Sequence, residues 1–94
     1  MREKDLMQAI LDAACLLGWR CYHVFDSRRS VPGFPDIVCL KDGRCVVYET
    51  KTATGKPTPA QLDWLADFNA AGIPAKIVRP ADLDDVLSEL QEAS

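Results

Sequence analysis

Leu6, Met7, Ile10, Leu11, Ala14 and Leu17 recur at helical spacing, which predicts an amphipathic helix over 3–17 with Gly18 as its C-terminal cap. The period then changes. Residues 19–26, with Cys21, Tyr22, Val24 and Phe25, read as a strand, and 27–35 carries two prolines, a glycine and two arginines, so it reads as a loop. Two apolar, β-branched runs follow, 36–40 and 44–52, separated by Lys41-Asp42-Gly43. Asp-Gly between such runs is a strong hairpin signal.

A second loop, 53–57, leads into Thr58-Pro59-Ala60-Gln61, a helix start with three agreeing cues. Thr stands at the N-cap, Pro at the first helical position and Gln at the third, as in a capping box. This helix runs to about Ala71, where Gly72 and Pro74 stop it. A short strand over 75–78 and a final amphipathic helix over 82–92, with Leu83, Val86, Leu87 and Leu90, complete the order αβββαβ(α). Both faces of the central hairpin are apolar, with Val38, Leu40 and Val47 on one and Ile37, Cys39, Val46 and Tyr48 on the other. Such a sheet must be covered by helices on both sides. The expectation is a single domain, 1–94, with an α/β sandwich fold around a central mixed sheet.

The hairpin also fixes a register. If Asp42-Gly43 is the turn, Lys41 faces Arg44, Leu40 faces Cys45, Val38 faces Val47 and Asp36 faces Glu49. Side chains alternate with period 2, so Lys51 lies on the same face as Glu49, one pleat along. Directly opposed carboxylates have Cβ atoms about 4.5–5.5 Å apart and repel each other. A divalent cation with oxygen ligands, at about 2.0–2.1 Å for magnesium, relieves that repulsion. The competing reading is an ion pair of Lys51 with Glu49 or Asp36 at a sheet edge, which leaves one carboxylate unexplained. Glu3 stands at the end of the buried stripe of the first helix, and Gln61 shares a stripe with Leu65 and Phe68. Glu3 also reads as an ordinary surface residue and Gln61 as a cap, although capping does not exclude a role in the site.

Composition bounds these readings. Ninety-four residues suit one core, and 48% apolar with 27% charged residues is ordinary for a soluble globular chain. No apolar run approaches the roughly 18 residues of a membrane helix, and no apolar signal core follows Met1, so the expected compartment is the cytoplasm with no membrane partner. Cys15, Cys21, Cys39 and Cys45 include no Cys-x-x-Cys pair and His23 is the single histidine, so zinc is a weak reading. Four buried free thiols are expected. The register also puts Cys39 and Cys45 on opposite faces, where they cannot bridge. The net charge of −3 is concentrated at one end: all five charged residues after Arg79 are acidic, leaving 11 basic against nine acidic residues before them. The acidity therefore neither excludes a DNA partner nor argues for one.

Pro35-Asp36 followed by Glu49-Thr50-Lys51 resembles the PD-(D/E)xK nuclease superfamily. With Gly33-Phe34 before the aspartate, Gly55-x-x-Thr58-x-x-Gln61 and Ala71-Gly72-Ile73, the chain looks more narrowly like a minimal VRR-NUC domain, a type found as stand-alone proteins in phages and bacteria. The likeness runs from Glu3 to about Leu83. It implies a restriction-endonuclease-like fold and a divalent-metal-dependent DNA endonuclease directed by structure, with branched or four-way-junction DNA as substrate. Asp36 and Glu49 would bind Mg²⁺ or Mn²⁺, with the Thr50 carbonyl completing the shell and Glu3 adding an outer or second-metal ligand. Lys51 would orient or deprotonate the attacking water, and Gln61 would position that lysine or the phosphate. Thr50 is a departure, since the family more often has an apolar residue there. Arg28, Arg29 and Lys56 are candidate phosphate contacts, also readable as solvated loop charges. Two symmetric cuts in a junction suggest a homodimer, with Trp64 as a candidate anchor because Leu62, Leu65 and Phe68 would serve the helix's own core; Trp64 reads equally as closing that local core. The alternatives are a catalytically weak DNA-binding accessory subunit that needs a partner to cut, and a sandwich with a purely structural ion pair.

Overall fold

The computed structural model describes residues 1–24 and 31–92. Its elements are α1 (Glu3–Leu16), β1 (Arg20–His23), β2 (Ile37–Lys41), β3 (Arg44–Thr50), α2 (Pro59–Ala70), β4 (Ala75–Val78), a 3-10 turn (Pro80–Asp82) and α3 (Leu83–Glu92). The sheet has the order β1-β2-β3-β4. The first three strands are antiparallel, and β4 lies parallel to β3, so the sheet is mixed.

The hairpin has the register that its sequence predicts: Lys41 pairs with Arg44, Leu40 with Cys45 and Val38 with Val47. Asp42 and Gly43 carry φ of 49° and 79°. Positive φ at both central residues is the signature of a two-residue type I′ turn, whose twist matches that of the strands. Thr58 Oγ1 accepts from Gln61 N at 3.2 Å and Gln61 Oε1 accepts from Thr58 N at 2.9 Å, which is the expected capping box.

Alternation divides the hairpin between two cores. Ile37, Cys39, Val46 and Tyr48 pack with Leu6, Ile10 and Ala14 of α1 and Val86 and Leu90 of α3. Val47 and Ala75 pack with Leu65 of α2 on the other face, joined by Val38, Cys45, Phe68 and Ile77. Trp19 is buried and its Nε1 donates to Leu90 O at 3.1 Å, tying the end of α1 to α3. Tyr48 Oη donates to Glu89 Oε2 at 3.0 Å, and Lys76 pairs with the same carboxylate.

Four expectations need correction. The first strand is shorter than 19–26, because Trp19 N closes the end of α1 on Ala14 O at 2.9 Å and its side chain enters the core; Phe25 and Asp26 lie outside the described residues. The last helix starts after Asp82, whose carboxylate and N–H both bond Arg79 and wind a 3-10 turn first. Helices do not cover both faces fully: α2 packs over β3 and β4, so Leu40 and Tyr22 stay exposed. Finally, only Cys39 among the cysteines is buried, with Cys21 and Cys45 half-buried and Cys15 exposed. Cys39 and Cys45 do belong to opposite cores. Among the described residues no helix is long and apolar enough to cross a membrane.

Candidate metal centre

The open end of the hairpin is where the ionisable groups gather. The paired residues of β2 and β3 end at Ile37 and Tyr48, and Asp36 and Glu49 come next on the two arms of the hairpin. Glu3, in the first turn of α1, joins them: Glu3, Asp36 and Glu49 each offer a carboxylate oxygen within 4.8 Å of the others. Three elements distant in sequence thus converge on one point.

Each member has identifiable partners. Asp36 Oδ2 accepts from Thr50 N at 2.9 Å and from Thr50 Oγ1 at 2.7 Å. Thr50 therefore reaches the site through its amide and its hydroxyl, and the second of these contacts is one that an apolar residue at this position cannot make. Glu49 is 2% exposed, and its Oε2 accepts from Gln61 Nε2 at 3.3 Å and lies 3.6 Å from Lys51 Nζ. Gln61 touches Glu49, not Lys51, and caps α2 with its other amide atom. Its first-turn position on the helix that covers this face makes both contacts available at once.

Burial, and then the charge of Asp36, push the Glu49 carboxyl up to about 8, against the opposing pull of Lys51. Glu49 Oε1 is buried and has no hydrogen-bond partner among the described residues. An orphaned carboxylate oxygen beside two further carboxylates is costly unless a cation binds there. The donor set is all oxygen, which suits a hard divalent ion such as magnesium or manganese over zinc. The residues fit such an ion.

The loop that delivers Asp36 is seated on α2. Gly33 has φ of +85°, and a Cβ built there would lie 2.5 Å from the Ala60 carbonyl carbon. Phe34 stacks edge-on against Trp64 at 5.1 Å and Phe68 at 6.0 Å, and Trp64 Nε1 donates to Pro32 O at 3.2 Å. Trp64 is thus engaged within its own chain, in keeping with the reading that it closes the local core, while Leu62, expected in the core of its own helix, is 48% exposed. Gly33→Ala meets both a left-handed φ and backbone contact. It is expected to destabilise the fold by about 3 kcal/mol, read as a fall of more than 10 °C in the thermal midpoint.

Arg79 is a positioning residue that the sequence did not single out. Its Nη1 donates to Thr52 O at 2.7 Å and Gly55 O at 2.8 Å, clamping the loop that follows Lys51. Lys56 is exposed on that loop. Arg28 and Arg29 lie outside the described residues.

A solved structure described as "VRR_NUC domain" superposes with a TM-score of 0.75 at 24% identity, over 92% of this chain and 94% of the other. A second, described as "VRR_NUC domain protein", gives 0.75 at 17% identity over 99% and 88%. The chain has the VRR_NUC fold. No protein-family model and no curated protein matches it, so the likeness is carried by three-dimensional shape. In this chain the mixed sheet lies between α1 and α3 on one side and α2 on the other, and the carboxylates occupy the end of that sheet.

Proposed function

We propose that this chain is a divalent-metal-dependent nuclease of the VRR-NUC type, hydrolysing phosphodiester bonds in DNA. The observation that carries the reading is the convergence of Glu3, Asp36 and Glu49 within 4.8 Å, with Lys51 and Gln61 both at Glu49, in a chain of VRR_NUC fold.

Asp36, Glu49 and Glu3 would hold Mg²⁺ or Mn²⁺. The bound ion supplies Lewis acidity toward the scissile phosphate and a lowered pKa for the attacking water. Thr50 fixes the rotamer of Asp36 through two hydrogen bonds, and Gln61 holds that of Glu49. Lys51 is largely buried beside Glu49, so its ammonium is oriented toward the site and stabilises charge developing on the phosphate. Lys56, with Arg28 and Arg29, would contact flanking phosphates, which position a substrate without reading its sequence. Among the described residues nothing resembles a base-reading helix or zinc finger, which favours recognition by DNA shape, with branched and four-way junctions as substrates. Two symmetric cuts need two sites, so the active species is inferred to be a homodimer; the contacts of Trp64 with Phe34 and Pro32 leave it a weaker candidate for the anchor.

The decisive experiment is cleavage of labelled duplex, single-stranded, flapped and four-way-junction DNA with Mn²⁺, alongside binding in Ca²⁺. Cutting of branched DNA supports the reading. Binding in Ca²⁺ without cutting in Mn²⁺ favours an accessory subunit, and neither removes the DNA role. Sedimentation at micromolar concentration tests the dimer. Lys51→Ala at pH 8.5 is expected to lower turnover about 100-fold while Mn²⁺ affinity changes less than about threefold. A large loss of Mn²⁺ binding with turnover kept would reverse the role given to the lysine.

A further inference from the structure

The sulfur atoms of Cys21 and Cys39 are 3.0 Å apart, on the face of the sheet covered by α1 and α3. The strand register puts the two residues directly opposite one another. Antiparallel ladders alternate between hydrogen-bonded pairs and closer, non-hydrogen-bonded pairs. Val24 N donates to Asp36 O at 3.1 Å, which marks that pair, and with it Tyr22 and Val38, as hydrogen-bonded. Cys21 and Cys39 therefore stand at a non-hydrogen-bonded position, where opposed Cα atoms are about 4.5 Å apart and side chains approach most closely. That spacing lies within the range that a disulfide spans.

We propose that Cys21 and Cys39 are a reversible redox pair, a dithiol that hydrogen peroxide oxidises to an intramolecular disulfide across β1 and β2 and that a dithiol reductant restores by thiol–disulfide exchange. Cys21 is half-buried and Cys39 fully buried, so the oxidant meets Cys21 first. Its hydrogen bond with Cys39 holds the Cys21 thiol below the ordinary thiol range, while the same bond and burial push Cys39 up. The Cys21 thiolate attacks one peroxide oxygen, the O–O bond breaks, and the leaving hydroxide takes the proton that Cys21 released. Cys39 sulfur then attacks the resulting sulfenic acid: the S–S bond forms, the S–O bond breaks, and the departing hydroxide leaves as water with the Cys39 proton. Two electrons pass from the sulfurs to one peroxide, giving two waters. Cys15 is exposed on α1, and Cys45 belongs to the opposite core, so neither competes for Cys39.

The crosslink closes the chain segment that carries the loop into Asp36. It lies on the face away from Glu49, so the pair stands independently of the proposed nuclease activity. Closing a loop of this length is expected to raise the thermal midpoint by about 10 °C.

The test treats the folded, reductant-free chain with hydrogen peroxide, then measures free thiols, intact mass, crosslinked peptides and melting. The expected result is loss of two of the four thiols, a mass lower by about 2 Da, one peptide joining Cys21 to Cys39, and a higher melting point that dithiothreitol reverses. Cys45→Ser should behave like the parent, and Cys21→Ser should keep all its remaining thiols or oxidise between chains. A folded chain that retains four thiols, or one whose crosslink joins other cysteines, overturns the proposal.

Discussion

Alanine in place of Glu49 is expected to lower Mn²⁺-dependent cleavage by about 10³-fold or more, and Asp36→Ala to do the same, because each removes one of the three carboxylates that converge on the proposed site. The loss corresponds to about 4 kcal/mol of barrier. The two variants differ in stability. Asp36 accepts both the amide and the hydroxyl of Thr50, a residue 1% exposed. Removing it strands two buried donors, each worth about 1–3 kcal/mol. Relief of carboxylate repulsion alone would suggest a neutral or stabilising change at both positions; the Thr50 contacts overturn that for Asp36. Asp36→Asn keeps an acceptor and is the cleaner variant. Cleavage at parental rates by a folded Asp36→Asn or Glu49→Ala chain would remove the site assignment.

The second large effect is a dependence on pH carried by Glu49. Its folded carboxyl, pushed up to about 8 from an ordinary 4.5, keeps a proton that the unfolded chain has already released. The folded state thus binds more protons between these values, so metal-free stability falls as pH rises from about 4.5 to about 8, and then levels. Glu49→Gln removes the group and is expected to raise the melting point of the metal-free protein at pH 8.5 by on the order of 10 °C, a gain that shrinks toward zero near pH 4.5. Binding of Mn²⁺ at pH 7 must expel that proton. Calorimetry in buffers of different ionisation enthalpy should detect about one proton released, with affinity falling about tenfold per pH unit below 8. Equal melting points for the parent and Glu49→Gln at pH 8.5, with no proton released by Mn²⁺, would mean that Glu49 is ionised without a cation.

The sequence by itself determined the element order, the hairpin register and the shared face of Glu49 and Lys51. These are local consequences of two-residue alternation, of an Asp42-Gly43 turn that accepts positive φ, and of a capping box whose members lie three residues apart. It also pointed to Asp36, Glu3 and Gln61, since periodicity puts each at the end of a buried stripe or strand. Only the tertiary structure decided which of these groups touch. Periodicity assigns a side chain to a face but does not say which distant element packs there. The meeting of Glu3 with Glu49, the contact of Gln61 with Glu49 in place of Lys51, and the Arg79 clamp all depend on how the helices dock and on β4 lying parallel beside β3. The internal packing of Trp64 and the exposure of Leu62 have the same origin: Phe34 packs onto α2, and no local signal specifies which face of α2 receives it. The Cys21–Cys39 contact is legible only once β1 is registered against β2, because spacing along the chain does not say which residues two strands bring opposite one another.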